Sequence, residues 1–95
     1  MRNYEAMIIL QPDLEEEARN ALVEKIQSFI VRDGGEITDI NHWGNRKMAY
    51  EIDDIRDGYY LLAKFTGTGS GIDELERNLQ ISDGVLRYLV IREDE

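Results

Sequence analysis

Ninety-five residues with no cysteine, and 20 Asp+Glu against 11 Lys+Arg for a net charge of −9, describe a short acidic chain. That length fits one domain spanning 1–95, since a domain takes about 100 to 200 residues. Disulfide scaffolds and thiol nucleophiles are excluded, and the charge has the wrong sign for a protein that finds nucleic acid by net charge alone. At 42% hydrophobic and 33% charged the composition is ordinary for a globular domain. No run approaches the roughly 18 apolar residues of a membrane span. The run Ala6 to Leu10, preceded by Glu5, is too short for the core of a signal peptide. The expected compartment is a reducing cytoplasm or an organelle matrix.

Tyr4, Ala6, Ile8 and Leu10 alternate at strand period with apolar Met7 and Ile9 between them, which predicts a central strand. Gln11-Pro12-Asp13 breaks it. Asp13, Glu15, Glu16 and Glu17 then load a helix start, where the dipole favours acids; Leu14, Ala18, Leu22, Ile26, Phe29 and Ile30 recur near helical spacing up to Asp33-Gly34-Gly35. Glu36 to Ile52 reads as a long second strand with a bulge or bend near Gly44-Asn45. Asp53 to Gly58 has turn chemistry, and Tyr59 to Thr66 is a third strand, antiparallel to the second. Gly67 to Gly71 reads as a flexible loop, Ile72, Leu75 and Leu79 as a short helix closed by Ser82-Asp83-Gly84, and Val85 to Arg92 as the last strand.

The order strand, helix, strand, strand, helix, strand, with right-handed crossovers, predicts an α+β ferredoxin-like plait (βαββαβ): a four-stranded antiparallel sheet with both helices on one face. Ala6, Ile8, Leu10, Leu61, Phe65, Tyr88 and Val90 then face the helices. Met7, Ile9, Tyr60, Leu62, Leu89 and Ile91 fall on the open face. Isolated apolar groups on an open sheet are normal, but a contiguous patch of several hundred square ångströms marks an interaction surface.

The chain offers little for catalysis. His42 is the sole histidine, no serine sits in a nucleophile-elbow sequence, and the ligands of a zinc site are missing. Asp53, Asp54 and Asp57 lack the rest of a calcium loop, so they read as a solvated turn. Gly67, Gly69 and Gly71 have neither nucleotide-binding spacing nor a following lysine, and Asp73 and Glu74 would repel an anion there. An acylphosphatase on this plait would want a glycine-rich, arginine-bearing loop where Gln11-Pro12-Asp13 stands. A small-ligand-binding regulatory domain, which carries no short signature, is the main rival from another class. Arg2, Arg46, Lys47, Arg87 and Arg92 lie on strands or strand ends with few acids beside them, so a fixed backbone can aim them at phosphate or at a partner's carboxylate. Solvated charge or an internal ion pair is an equal reading for each. Arg46 and Lys47, adjacent on a strand, cannot both touch one partner.

Gly44-Asn45-Arg46-Lys47-Met48-Ala49-Tyr50-Glu51-Ile52 resembles the signature of the bacterial small-subunit ribosomal protein six family: glycine, any residue, a basic residue, a polar or basic residue, leucine, alanine, tyrosine, any residue, isoleucine. Met1-Arg2-Asn3-Tyr4-Glu5, Gln11-Pro12, Asp57-Gly58-Tyr59, Ile81-Ser82-Asp83 and Val90 to Glu93 are similar to that family too, so the resemblance spans the chain. Met48 replaces the usual leucine at conserved volume. The resemblance implies a non-enzymatic protein without cofactor, metal or small-molecule substrate, which binds the central domain of 16S ribosomal RNA as a heterodimer with ribosomal protein eighteen. A basic partner would supply much of the phosphate neutralisation that a chain of charge −9 cannot. The open face, Met7, Ile9, Tyr60, Leu62, Leu89 and Ile91, is then expected to meet the protein partner, and Arg2, Arg46, Lys47, Arg87 and Arg92 the RNA. The paired stacking aromatics of an RNA-recognition motif are not evident on the first and third strands, where Tyr60 stands alone.

Overall fold

The computed structural model describes residues 2–32, 34–52 and 55–93, with side chains outside 47–57. Six elements follow one another: β1 (Arg2–Leu10), α1 (Glu16–Arg32), β2 (Glu36–Ile52), β3 (Ile55–Gly67), α2 (Gly69–Ile81) and β4 (Val85–Arg92). The strands form one sheet in the order β2-β3-β1-β4, with every neighbouring pair antiparallel. The α+β ferredoxin-like plait expected from the element order is the observed fold.

Strand alternation decides which side chains meet the helices. Tyr4, Ala6, Ile8 and Leu10 of β1 and Tyr59, Leu61, Ala63 and Phe65 of β3 are buried on one face, against Leu22, Val23, Ile26, Phe29 and Ile30 of α1 and Leu75 and Leu79 of α2. Tyr88 and Val90 of β4 are partly buried against the same cluster, as their parity predicts. Helix α1 ends as its glycines suggest: Gly35 N–H donates to Ile30 O at 3.1 Å and Gly34 N–H to Val31 O at 3.0 Å, the paired bonds of a Schellman cap.

Two expectations are corrected. Residues 55–58, expected as turn, begin β3 and pair with β2 through Ile52↔Ile55, Lys47↔Asp57 and Arg46↔Gly58. Ladder formation along a long partner strand overrides local turn composition; Asp53 and Asp54 lie outside the described residues. The expected loop at Gly67 to Gly71 shrinks to Thr68. Its hydroxyl accepts from Gly71 N–H at 3.1 Å and caps α2, so Gly69, Ser70 and Gly71 form the first helical turn. Ile9 lies on the open face as its parity predicts, but it is only 8% exposed. It lies between Tyr60 and Arg87 in the ladders and fills the space left by Gly58, where a Cβ would collide with Ile9 Cγ2.

The bend expected near Gly44-Asn45 is a bulge. Register with β3 slips between His42 and Gly44, leaving Trp43 as the extra residue, and Gly44 adopts φ +83°. A second slip between Ile37 and Asp39 makes Thr38 the extra residue there.

The cap at Gly35 has a testable consequence. A Cβ there would stand 2.6 Å from Thr66 O and 2.8 Å from Ile30 O, both backbone atoms that cannot swing aside. Gly35→Ala is expected to lower stability by about 1–3 kcal/mol through overpacking. At Gly69 nothing lies within 4 Å of the point a Cβ would occupy, so Gly69→Ala should be neutral or stabilise by about 0.4–1 kcal/mol. Urea unfolding of the two variants checks the contrast; equal effects would contradict it.

Candidate functional site

The open face of the sheet can be laid out row by row from the pairing register. One row crosses Asp39, Lys64, Glu5 and Ile91; the next Asn41, Leu62, Met7 and Leu89; the third Gly44, Tyr60, Ile9 and Arg87. Neighbouring strands stand about 4.8 Å apart, so the middle row is a continuous apolar band about 10 Å long from Leu62 to Leu89. Leu89 is 61% exposed and Ile91 49%, whereas Met7, Tyr60 and Leu62 are half-buried. The structure therefore brings all six predicted partner residues to one face, five of them accessible and Ile9 buried among its neighbours.

The first row is polar from Asp39 to Glu5, with a single cation among its acids. Lys64 Nζ lies 3.9 Å from a Glu5 carboxylate oxygen and 4.0 Å from one of Glu93, while Asn41 Nδ2 donates to Asp39 at 3.0 Å. Such exposed pairs contribute at most about 1 kcal/mol each. One lysine faces the carboxylates of Glu5, Glu93 and Asp39, so the apolar band is bordered on that side by net negative charge.

The five predicted cations do not gather. Arg2 pairs with Gly67 and Arg92 with Tyr4, which puts both at one end of the sheet on the parity of the helix side. Arg87 pairs with Ile9 and Arg46 with Gly58, at the opposite end on the open face. Seven residues of β1 separate Arg2 from Ile9, about 23 Å at about 3.3 Å per residue. Arg2, Arg87 and Arg92 are each also engaged by another group of the chain. The Lys47 side chain lies outside those described.

Arg46 has a neighbour that sequence reasoning did not single out. Its Nε donates to Trp43 O at 3.2 Å and its guanidinium carbon sits 5.6 Å from the Trp43 ring centre. The bulge puts this ring on the open-face parity of edge strand β2, where it stays 43% exposed. The signal was available: a tryptophan directly before the Gly44-Asn45 interruption and three residues before an arginine.

His42 belongs to the other face. Its Nδ1 is 2.7 Å from the Tyr59 hydroxyl, and the Arg19 guanidinium from α1 covers the Tyr59 ring at 4.4 Å. This cluster ties α1 to the β2–β3 hairpin and presents no carboxylate to the imidazole among those contacts. A shallow groove between the end of α1 and the start of α2 is lined by Ile30, Gly35, Phe65, Thr66, Gly67, Thr68, Gly71, Ile72 and Leu75, none of them ionisable. Among the described residues no three metal-ligating side chains cluster, and no helix is long and apolar enough to cross a membrane.

The molecule is thus an α+β plait whose open sheet face carries an apolar band with Arg46 and Arg87 at one end. The chain belongs to the ribosomal protein S6 family, whose model matches residues 3–92. It is 53% identical to small ribosomal subunit protein bS6 of Thermoanaerobacter pseudethanolicus over the full length of both chains. Among solved structures, the 30S ribosomal protein S6 of Thermotoga maritima superposes with a TM-score of 0.89 at 33% identity, covering 97% of this chain and 87% of that one. The C-terminal domain of the MgtC protein from Mycobacterium tuberculosis also matches, with a TM-score of 0.58 at 18% identity over 97% of this chain and 87% of that one, a likeness of fold alone.

Proposed function

We propose that this chain is a structural, non-enzymatic component of the small ribosomal subunit, which binds the central domain of 16S ribosomal RNA as a pair with ribosomal protein eighteen. The observation that carries the reading is the family match over residues 3–92, with relatives named as small ribosomal subunit proteins. Two physical features support it. The net charge of −9 leaves the chain short of the cations that phosphate binding uses, so a basic partner is the natural complement. The apolar band on the open sheet gives that partner a surface to cover, with Met7, Tyr60, Leu62, Leu89 and Ile91 as its contacts and Ile9 buried among them. Arg2 and Arg92 at one end, and Arg87 with either Arg46 or Lys47 at the other, would then meet RNA on either side of the protein contact.

Filter binding of a central-domain RNA fragment, with and without protein eighteen, tests the reading. Weak binding by the chain alone and tight binding by the pair are expected. Equal affinity in both cases would refute the dependence, and micromolar binding of an amino acid or nucleotide with indifference to RNA would favour a regulatory domain instead. Where Arg2, Arg46 or Arg87 contacts a phosphate, its replacement by alanine should reduce the slope of log affinity against log salt by about one and weaken all RNA sequences alike. An unchanged slope assigns that residue to the fold or to the protein contact.

A further inference from the structure

The geometry points to Trp43 and Arg46 as a stacking subsite for one unpaired base of the bound RNA, an assignment that rests on the RNA-binding reading above. Three observations converge on it. Trp43 is the only tryptophan of the chain and is 43% exposed on an edge strand, where packing alone would have hidden so large a ring. The bulge that exposes it is fixed in the backbone: Trp43 is the residue left over at the register slip, Gly44 holds φ +83°, and the space beside Gly44 is empty to 4 Å. The Arg46 guanidinium is anchored next to the ring by the bond from Nε to Trp43 O at 3.2 Å, so a cation and an aromatic face are presented together.

That combination suits a nucleotide better than a peptide. Every base offers a π-face to an exposed ring, and the phosphate attached to it carries the charge that a neighbouring guanidinium attracts. On the same edge of the open face, Tyr60 pairs with Gly44, the residue next to Trp43, so a base stacked on the tryptophan would have a second aromatic group one strand away. The subsite lies at the Arg46–Arg87 end of the sheet, away from the net-negative row of Glu5, Lys64 and Glu93.

A single tryptophan makes the test direct. The pair formed with protein eighteen is titrated with the central-domain RNA fragment, and the emission of Trp43 is taken as the difference between wild type and Trp43→Phe. Quenching on addition of RNA is expected. Trp43→Ala should weaken RNA binding about tenfold with the salt slope unchanged, because a stacked ring contributes no charge, while Arg46→Ala should lower the slope by about one. Trp43→Phe, which keeps a smaller ring, should lose less. Emission that changes on adding protein eighteen, and not again on adding RNA, would overturn the assignment in favour of a protein contact. Absence of quenching with Trp43→Ala binding as wild type would overturn it while leaving RNA binding by the pair intact. Failure of the wild-type pair to bind RNA would overturn the functional reading itself. The quenching measurement uses the wild-type chain, so it stands whether or not the alanine variant folds.

Discussion

Replacing Leu61 or Ile8 by alanine is expected to lower the free energy of unfolding by about 2–5 kcal/mol, the cost of a truncation that removes buried methyl groups and leaves a cavity. Both side chains are fully buried, and they face one another across the β1–β3 ladder as partners in register. Collapse around either cavity is resisted from both sides, by the sheet backbone below and by α1 and α2 above. The loss is a large fraction of the stability of a domain this small, about 5–15 kcal/mol in all. Because the two residues are neighbours in the ladder, the double variant should fall short of the sum of the single ones. Chemical denaturation checks the magnitude, and a loss below about 1 kcal/mol for both single variants would contradict the core assignment. The affinity of the still-folded fraction for protein eighteen should stay at the wild-type value, since neither side chain reaches the open face.

How much of this is legible in the sequence depends on whether local pattern or tertiary pairing decides the outcome. Strand β1 and the core face of β3 are plain because both alternate cleanly, and burial follows that alternation except at Ile9, which is buried on the open face over Gly58. The bulge at Trp43 is readable from the Gly44-Asn45 interruption. The one at Thr38 has a signal too: Ile37 and Ile40, three residues apart, both pack on the core, which an unbroken strand cannot arrange. Residues 55–58 and the start of α2 depart from their local composition for different reasons. The first has turn residues but a long strand to pair with. The second has helix-poor glycines, yet a threonine cap in front of them outweighs their propensity. At the site, parity alone puts Arg87 and the apolar band on the open face. Splitting the five arginines and lysines between two ends takes the register of β1 with both its neighbours. The exposure of Trp43 comes from the bulge, which frees the edge strand from the pleat that strand patterns assume.

The second large effect is expected at the open face. Tyr60→Asp and Leu62→Asp should each weaken pairing with protein eighteen at least about a hundredfold, because an unpaired carboxylate trapped in an apolar contact carries a desolvation cost of several kcal/mol. The alanine versions should cost roughly 1–3 kcal/mol where the side chain is a central anchor. Stability should change little, since Leu62 and Tyr60 lie on the parity opposite to the core and are only half-buried in the free chain. Leu89→Ala is the milder companion: with 61% of its surface exposed it contributes almost nothing to folding, so any loss of affinity reads the contact alone. Ile9 behaves differently. At 8% exposure, packed over Gly58, it is a buried residue of the open face, one row from the band. Ile9→Ala should therefore lower stability more than pairing, the reverse of Leu62→Ala. Size-exclusion or calorimetric titration of the folded variants with protein eighteen decides the matter. If both aspartate variants fold and pair at unchanged affinity, the partner does not sit on the open face, and docking must use the outer edge of β2 or β4 or the helical side.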